Sequence, residues 1–214
     1  MLRASSLCCF INDPGLRQEY GIVEQARPEP RVEGDIMQGE AAAIDPSAAM
    51  LNGSSIIAAV KASGIEFLLS VPDIVTSEGL LRPLAQDPAI RHVRVCKEDE
   101  CIGIAMGLAM TDKRALILIQ HTGLLDSLNA VRGVAVEYRQ PICMMVGLLQ
   151  REPERPPRES TRYGVRIVQP ILDAMGIMHH LIENEADVAK IKPAIENAYR
   201  QSQPVVLLIG RSPT

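Results

Sequence analysis

From residue 50 onward, short apolar runs alternate with segments whose apolar positions recur at helical spacing. Ile65–Val71, His92–Cys96, Ala115–Ile119, Ile142–Leu148, His179–Ile182 and Val205–Ile209 have the length and composition of strands. Between them the pattern predicts helices from Asn52, as a cap, through Val60, then over Ser77–Gln86, Glu98–Thr111, Leu125–Glu137, Val168–Met175 and Glu185–Gln201. Gly64 is placed to close the first helix in a left-handed conformation, and Pro83 predicts a kink or late start in the second. Strands that are apolar on both faces belong in a parallel sheet covered by helices. The expected fold is therefore α/β: a single doubly wound, mostly parallel sheet of about six strands with helices on both faces.

Residues 1–49 show neither periodicity and carry Pro28, Pro30 and Pro46 among scattered acids. They read as a flexible acidic N-terminal extension with a short helix near Ala41–Ala43, or as sequence upstream of a start at Met50. The folded domain is expected to span 50–214. Charge supports that boundary. Four arginines face eight acids in 1–49, so the formal net charge of -4 resides there and 50–214 is formally neutral.

Composition narrows the class. No basic face dominates, which argues against nucleic-acid binding, and no run is long and apolar enough for a membrane span. The five cysteines lack CxxC spacing, and an odd count does not make a disulfide framework. The opening residues make a poor secretory signal, so a cytoplasmic location is expected.

In such sheets ligands gather beyond the carboxyl ends of the strands, here segments 71–77, 96–99, 120–126 and 149–164. The first candidate is Lys97-Glu98-Asp99-Glu100, opening a helix that carries Gly103, Ala105, Gly107 and Ala109. Carboxylates suit a helix N-terminus, and the clustered small residues predict a close neighbour. The second is Gln120-His121-Thr122-Gly123 through Asn129, expected as a strand-end loop that Thr122 or Asp126 caps. Its single glycine excludes the dinucleotide and phosphate-loop fingerprints. The third is Gln150–Tyr163, with Arg151, Arg155, Arg158 and Arg162, whose guanidinium groups suit an anionic substrate group or simply a solvated, ion-paired loop. No GxSxG or HExxH motif is present, and only His121 among the histidines lies at a strand end.

Ser70-Val71-Pro72-Asp73, the run Lys97 to Gly107, and Gln120 to Asn129 together resemble the pyrimidine-binding domain of thiamine diphosphate enzymes. Within that superfamily the likeness is to the alpha subunits of sulfopyruvate decarboxylase, with phosphonopyruvate decarboxylase next. The likeness covers Met50 to about Arg211. It implies that Glu98 is the cofactor-activating glutamate, its carboxyl group hydrogen-bonded to the aminopyrimidine ring. It also implies cofactor contacts from Pro72, Thr122 and Gly123, and substrate contacts from Asp73, Gln120, His121 and Asn129. Arg151 and Arg155 are added as candidates for the substrate's anionic end. The family usually has Asn at the position of His121, Gly at Leu125 and often Asn at Asp126.

The family's Mg2+-binding Gly-Asp-Gly…Asn motif is missing from this sequence. The resemblance therefore implies a separate beta subunit that holds Mg2+ and the diphosphate, in a hetero-oligomer with the active site at the interface. The expected function is the alpha subunit of a thiamine diphosphate-dependent decarboxylase acting on 3-sulfopyruvate or a similar anionic C3 2-oxo acid, giving sulfoacetaldehyde and CO2. The alternatives are a carboligase or other 2-oxo acid enzyme subunit with the same cofactor, and a non-catalytic partner-binding domain.

Overall fold

Strands Phe67–Ser70 (β1), Arg91–Arg94 (β2), Ala115–Gln120 (β3), Cys143–Gly147 (β4), Met178–Ile182 (β5) and Val205–Ile209 (β6) make one sheet in the order β2-β1-β3-β4-β6-β5. Every adjacent pair is parallel. The computed structural model describes residues 50–214, so the expectations for 1–49, including the helix near Ala41–Ala43, lie outside the described residues. The chain runs from β1 to the edge strand β2 and then crosses back to β3, which makes the boundary between β1 and β3 a topological switch point.

The helices are Gly53–Ala62 (α1), Arg82–Gln86 (α2), Glu98–Ala109 (α3), His121–Asp126 (α4), Leu128–Ala130 (α5), Tyr163–Ala174 (α6) and Ile191–Gln201 (α7). Strand residues alternate between two cores, as a pleat of period two requires. Leu68, Leu116, Leu118, Met145 and Leu207 pack with Ile56 and Val60 of α1 and Ile191 and Ile195 of α7. Leu69, Ile117, Ile119, Met144, Val146 and Leu208 pack on the other face with Ile102 of α3, Leu124 of α4, and Val165 and Leu172 of α6. This double burial explains why β3, β4 and β6 are apolar throughout.

Three helices depart from the pattern. The turn before α2 is π-helical over Ser77–Leu81, and Pro83 sits in the first turn of α2, where a missing N–H costs nothing. Helix α6 begins five residues ahead of Val168, because Val165, Val168 and Leu172 form one buried stripe. The helix predicted from Glu185 opens as a 3-10 turn, Glu185–Lys190, capped by Asn184, before α7 continues it. Among the described residues no helix is long and apolar enough to cross a membrane.

The end of the chain is threaded between two glycines. The Gly53 amide donates to the Thr214 carbonyl at 2.9 Å, and the Thr214 amide donates to the Leu51 carbonyl at 3.0 Å. A Cβ on Gly79 would stand 2.2 Å from the Pro213 carbonyl oxygen, and one on Gly53 would stand 2.3 Å from the Gly79 oxygen. Only residues without side chains let three backbones meet so closely.

Candidate functional site

The acidic run at the start of α3 divides its labour. Glu100 reaches back, its Oε2 accepting from the Cys96 and Lys97 amides at 3.0 and 3.1 Å, and so caps the helix. Asp99 lies 3.7 Å from the Lys97 ammonium, which is also 3.8 Å from Asp126. Glu98 is thereby left for another task. Its side chain lies along Gly123, where a Cβ would come within 2.3 Å of Glu98 Cγ and 2.4 Å of its Oε1. Glycine at 123 lets the half-buried carboxyl group rest against the first turn of α4.

That first turn follows β3 without a loop. Gln120 is the N-cap but accepts no amide through its side chain, and neither Thr122 nor Asp126 caps the helix, contrary to expectation. The Thr122 hydroxyl instead donates to Gln120 Oε1 at 2.8 Å, and both side chains sit at the rim of the strand end. The apolar stripe through Leu124 extends the helix back to residue 121, so what the sequence suggests is a loop is helical.

His121 is buried at 5% exposure. Its Nδ1 accepts from the Leu149 amide at 3.2 Å, and a Cβ on Gly164 would stand 2.9 Å from its Nε2. The ring thus joins α4, the turn after β4 and the start of α6. Burial holds its pKa below the usual imidazole value, with the Gly147 carbonyl opposing. A neutral ring accepting at Nδ1 carries its proton on Nε2.

Asp73, also buried, organises the turn after β1. Its Oδ1 accepts from the Val75 and Thr76 amides at 2.6 and 2.9 Å, and its Oδ2 accepts from the Thr76 hydroxyl. The turn presses on Gly147, where a Cβ would meet Val75 Cβ at 2.9 Å and Asp73 Oδ1 at 3.1 Å. Pro72 and Ile74 face outward, Ile74 at 79% exposure.

The arginines of the third segment are dispersed. Arg151, with a side chain only 4% exposed, pairs through Nε with Glu183. Arg155 is exposed, and Arg158 pairs at the surface with Asp173. Glu152 gathers the loop by accepting from the Ser160 hydroxyl and from the Thr161 hydroxyl and amide, contacts that pull its pKa down to about 2. Asn129 is exposed on α5, its Oδ1 accepting from the Arg132 guanidinium at 3.0 and 3.3 Å.

The strand ends therefore bring Glu98, Gly123, Gln120 and Thr122 into one group. Asp73 lies against Gly147, Arg151 lines a cavity with Ile74 and Val75 of the Asp73 turn, and His121 is tied to the turn after β4 through Leu149. Asn129 and Arg155 are engaged or exposed elsewhere. Sequence reasoning passed over Gly147, Glu183, Gly210 and Arg211. A glycine closing an apolar strand, as in Val146-Gly147 and Ile209-Gly210, is the signal that could have found the group. Among the described residues no three His, Cys, Asp or Glu side chains are arranged to hold a metal ion.

No protein-family model matches the chain. The sulfopyruvate decarboxylase subunit alpha of Methanothermobacter thermautotrophicus is 38% identical over 95 residues, 44% of this chain and 57% of that protein. The same subunit of Methanocaldococcus jannaschii is 28% identical over 160 residues, 74% of this chain and 93% of that protein. The chain resembles sulfopyruvate decarboxylase alpha subunits. Against M. thermautotrophicus the aligned stretch spans little more than half of the alpha subunit, whereas against M. jannaschii it spans nearly all. Among solved structures, benzoylformate decarboxylase from Polynucleobacter necessarius superposes with a TM-score of 0.53 at 17% identity, over 74% of this chain and 29% of that one. At that identity the superposition shows a shared fold, which is the parallel α/β sheet described above.

Proposed function

We propose that this chain is the alpha subunit of a thiamine diphosphate-dependent 2-oxo acid decarboxylase, acting on 3-sulfopyruvate or a similar anionic C3 2-oxo acid. The observation that carries this reading is the Glu98 side chain held against Gly123 at the switch-point end of the sheet. The names of the similar alpha subunits support the reaction class.

The residues fit the cofactor's needs. Glu100 caps α3, so Glu98 is not consumed by the helix N-terminus and its carboxyl group can face a ring nitrogen. A carboxyl at hydrogen-bond distance from such a nitrogen can hold or pass a proton there. Gly123 leaves the space that keeps the carboxyl group in position, and Gln120 and Thr122 line the adjoining rim. The Asp73 turn fixes Pro72 beside the same strand ends. Thiamine diphosphate, when bound, supplies the electron sink that lets a 2-oxo acid lose CO2.

In this reading Mg2+ and the diphosphate are held by a beta subunit. The face of α3 that carries exposed Gly103 and Gly107, with nothing among the described residues within 4 Å of a Cβ on either, is the contact surface for it. Small residues let a partner's backbone approach closely.

The test is co-expression with a subunit carrying the Gly-Asp-Gly…Asn motif, followed by CO2 release from 3-sulfopyruvate, pyruvate and phosphonopyruvate with thiamine diphosphate and Mg2+. Calorimetric titration of the cofactor into wild-type and Glu98→Gln complexes gives a readout apart from turnover. Release from 3-sulfopyruvate, abolished by Glu98→Gln in an intact complex, is the expected result. No release from any 2-oxo acid would defeat the reading, and a coupled carbon–carbon product would assign a carboligase instead.

A further inference from the structure

We propose that the outer edge of β5 pairs with the same edge of a second copy of this chain, antiparallel about a two-fold axis at His180, so that two six-stranded sheets become one. The inference goes beyond the decarboxylase reading and is separate from it, since neither cofactor nor reaction enters it.

Strand β5 ends the sheet and pairs only with β6. The Ile182 carbonyl accepts from the Gly210 amide at 3.0 Å, which turns it toward β6. Backbone groups change side at each residue of a strand, so Met178, His180 and Ile182 bond inward while the groups of Ile177, His179, Leu181 and Glu183 point out. Two of the outward amides are engaged. Ile177 donates to the Leu172 carbonyl at 2.9 Å, and Glu183 donates to Asp187 Oδ2 at 2.9 Å. Among the described residues the amides and carbonyls of His179 and Leu181 are left open.

That remainder is self-complementary. In an antiparallel pair, two residues that face each other with their backbone groups turned inward exchange both hydrogen bonds. An axis at His180 sets His179 of each copy against Leu181 of the other, and every open group finds a partner. An axis at His179 would call on the Ile177 amide, and one at Leu181 on the Glu183 amide, both already engaged.

The two edges of the sheet are built differently. Edge strand β2 carries exposed Arg91 and Arg94, charges of the kind that discourage edge pairing. Strand β5 carries no Lys, Arg, Asp, Glu or Pro, and its Met178 is 58% exposed. Pairing through β5 uses the unguarded edge of both copies and leaves only guarded ones, so assembly closes at two chains. Beside the edge lies a cavity of about 500 Å³ with Met178, His180, Ala189 and Pro193 in its lining. It opens on the face where the second copy's His180 and Met178 fall, as pockets do for the alternate side chains of an added strand. Burial, with Lys190 and His179 nearby, holds the His180 pKa below the usual imidazole value, so neutral rings meet at the axis near pH 7. Lys190 is matched by Asp187 at 2.7 Å and His179 by Asp173 at 3.0 Å.

Sedimentation velocity of the full chain over a range of concentrations near neutral pH should show a reversible equilibrium between one chain and two. Hydrogen exchange should slow at the His179 and Leu181 amides as the dimer fills. His180→Lys and His180→Glu each set like charges face to face on the axis, and each alone should weaken the dimer about fivefold. An equimolar mixture of the two variants should recover the wild-type affinity, because opposite charges then meet; a variant that failed to fold could not be rescued in this way. A chain that stays monomeric, assemblies that grow past two chains, a mixture no tighter than either variant alone, or unchanged exchange at His179 and Leu181 would overturn the proposal. Slowed exchange at those amides only once a beta subunit is added would overturn it too, and would give the edge to that subunit.

Discussion

Gly123 and Glu98 occupy what would otherwise be the same space: the Cβ that any other residue would place at 123 falls 2.3 Å from Glu98 Cγ. A glycine inside a helical turn is costly, by about 1 kcal/mol relative to alanine. Here the cost has an evident return, since it lets an acid from the start of α3 lie against the start of α4.

Gly123→Ala should therefore separate stability from function. The clash is with a side chain, which can swing to another rotamer, so the fold is retained and thermal stability rises or stays level as helix propensity improves. Decarboxylation by the co-expressed complex should fall at least about tenfold, because the carboxyl group has moved. Unchanged turnover in Gly123→Ala, with thermal unfolding also unchanged, would mean that the contact has no bearing on chemistry.

His121 makes a pH prediction. Burial lowers its pKa in the folded chain, as it also does for His92 and His180. Below the usual imidazole value of 6.5 the unfolded chain takes up protons that the folded chain refuses, so the unfolded state binds more protons there. Stability is full above that pH and declines as pH drops from 6.5 toward the folded-state value. Comparing urea unfolding midpoints at about pH 7.5 and about pH 5.5 should show the decline, and His121→Gln should shrink it. Glutamine can still accept from the Leu149 amide, so a variant that keeps the full decline would assign the effect to His92 and His180 alone.

The sheet was legible because its central strands are continuous apolar runs buried on both faces. Ala115–Ile119 needs no partner to be recognised. The start of α4 was not legible in the same way. It lacks a capping side chain, and the reason His121 belongs inside is supplied by Leu149 and Gly164, remote in sequence. Glu98 could be found from its run, but its freedom from capping depends on Glu100 reaching back to Cys96 and Lys97. The arginine loop was visible as composition. That Arg151 turns inward while Arg155 stays out follows from the left-handed Gln150 and from Glu183 on a different strand end. Gly103 and Gly107 read as a packing signal, yet nothing among the described residues comes within 4 Å of a Cβ on either.

Gly79 tests the threaded chain end. A methyl group there would meet the Pro213 carbonyl oxygen at 2.2 Å and its carbon at 2.7 Å, both backbone atoms that no rotamer change can remove. Gly79→Ala should destabilise the chain by about 1–3 kcal/mol, in the range for overpacking. Hydrogen exchange should show faster exchange at Gly53 and Thr214, whose amides take part in the pairing. Equal protection at those amides in the variant would show that the segment has room to shift.

Glu152 controls the order of the loop that carries Arg151. Its carboxylate accepts from Ser160 and Thr161, and these hydrogen bonds lower its pKa to about 2. A carboxyl group with a depressed folded-state pKa contributes stability that is present above the ordinary value of 4.5 and lost as pH falls from there toward 2. Glu152→Gln keeps the size but accepts more weakly, so the turn around Pro157–Glu159 should loosen first. Limited proteolysis near neutral pH should then cut the variant within residues 152–162 faster than wild type, with the global unfolding midpoint little changed. If both are cut alike, the loop is held by Pro157 packing and not by Glu152.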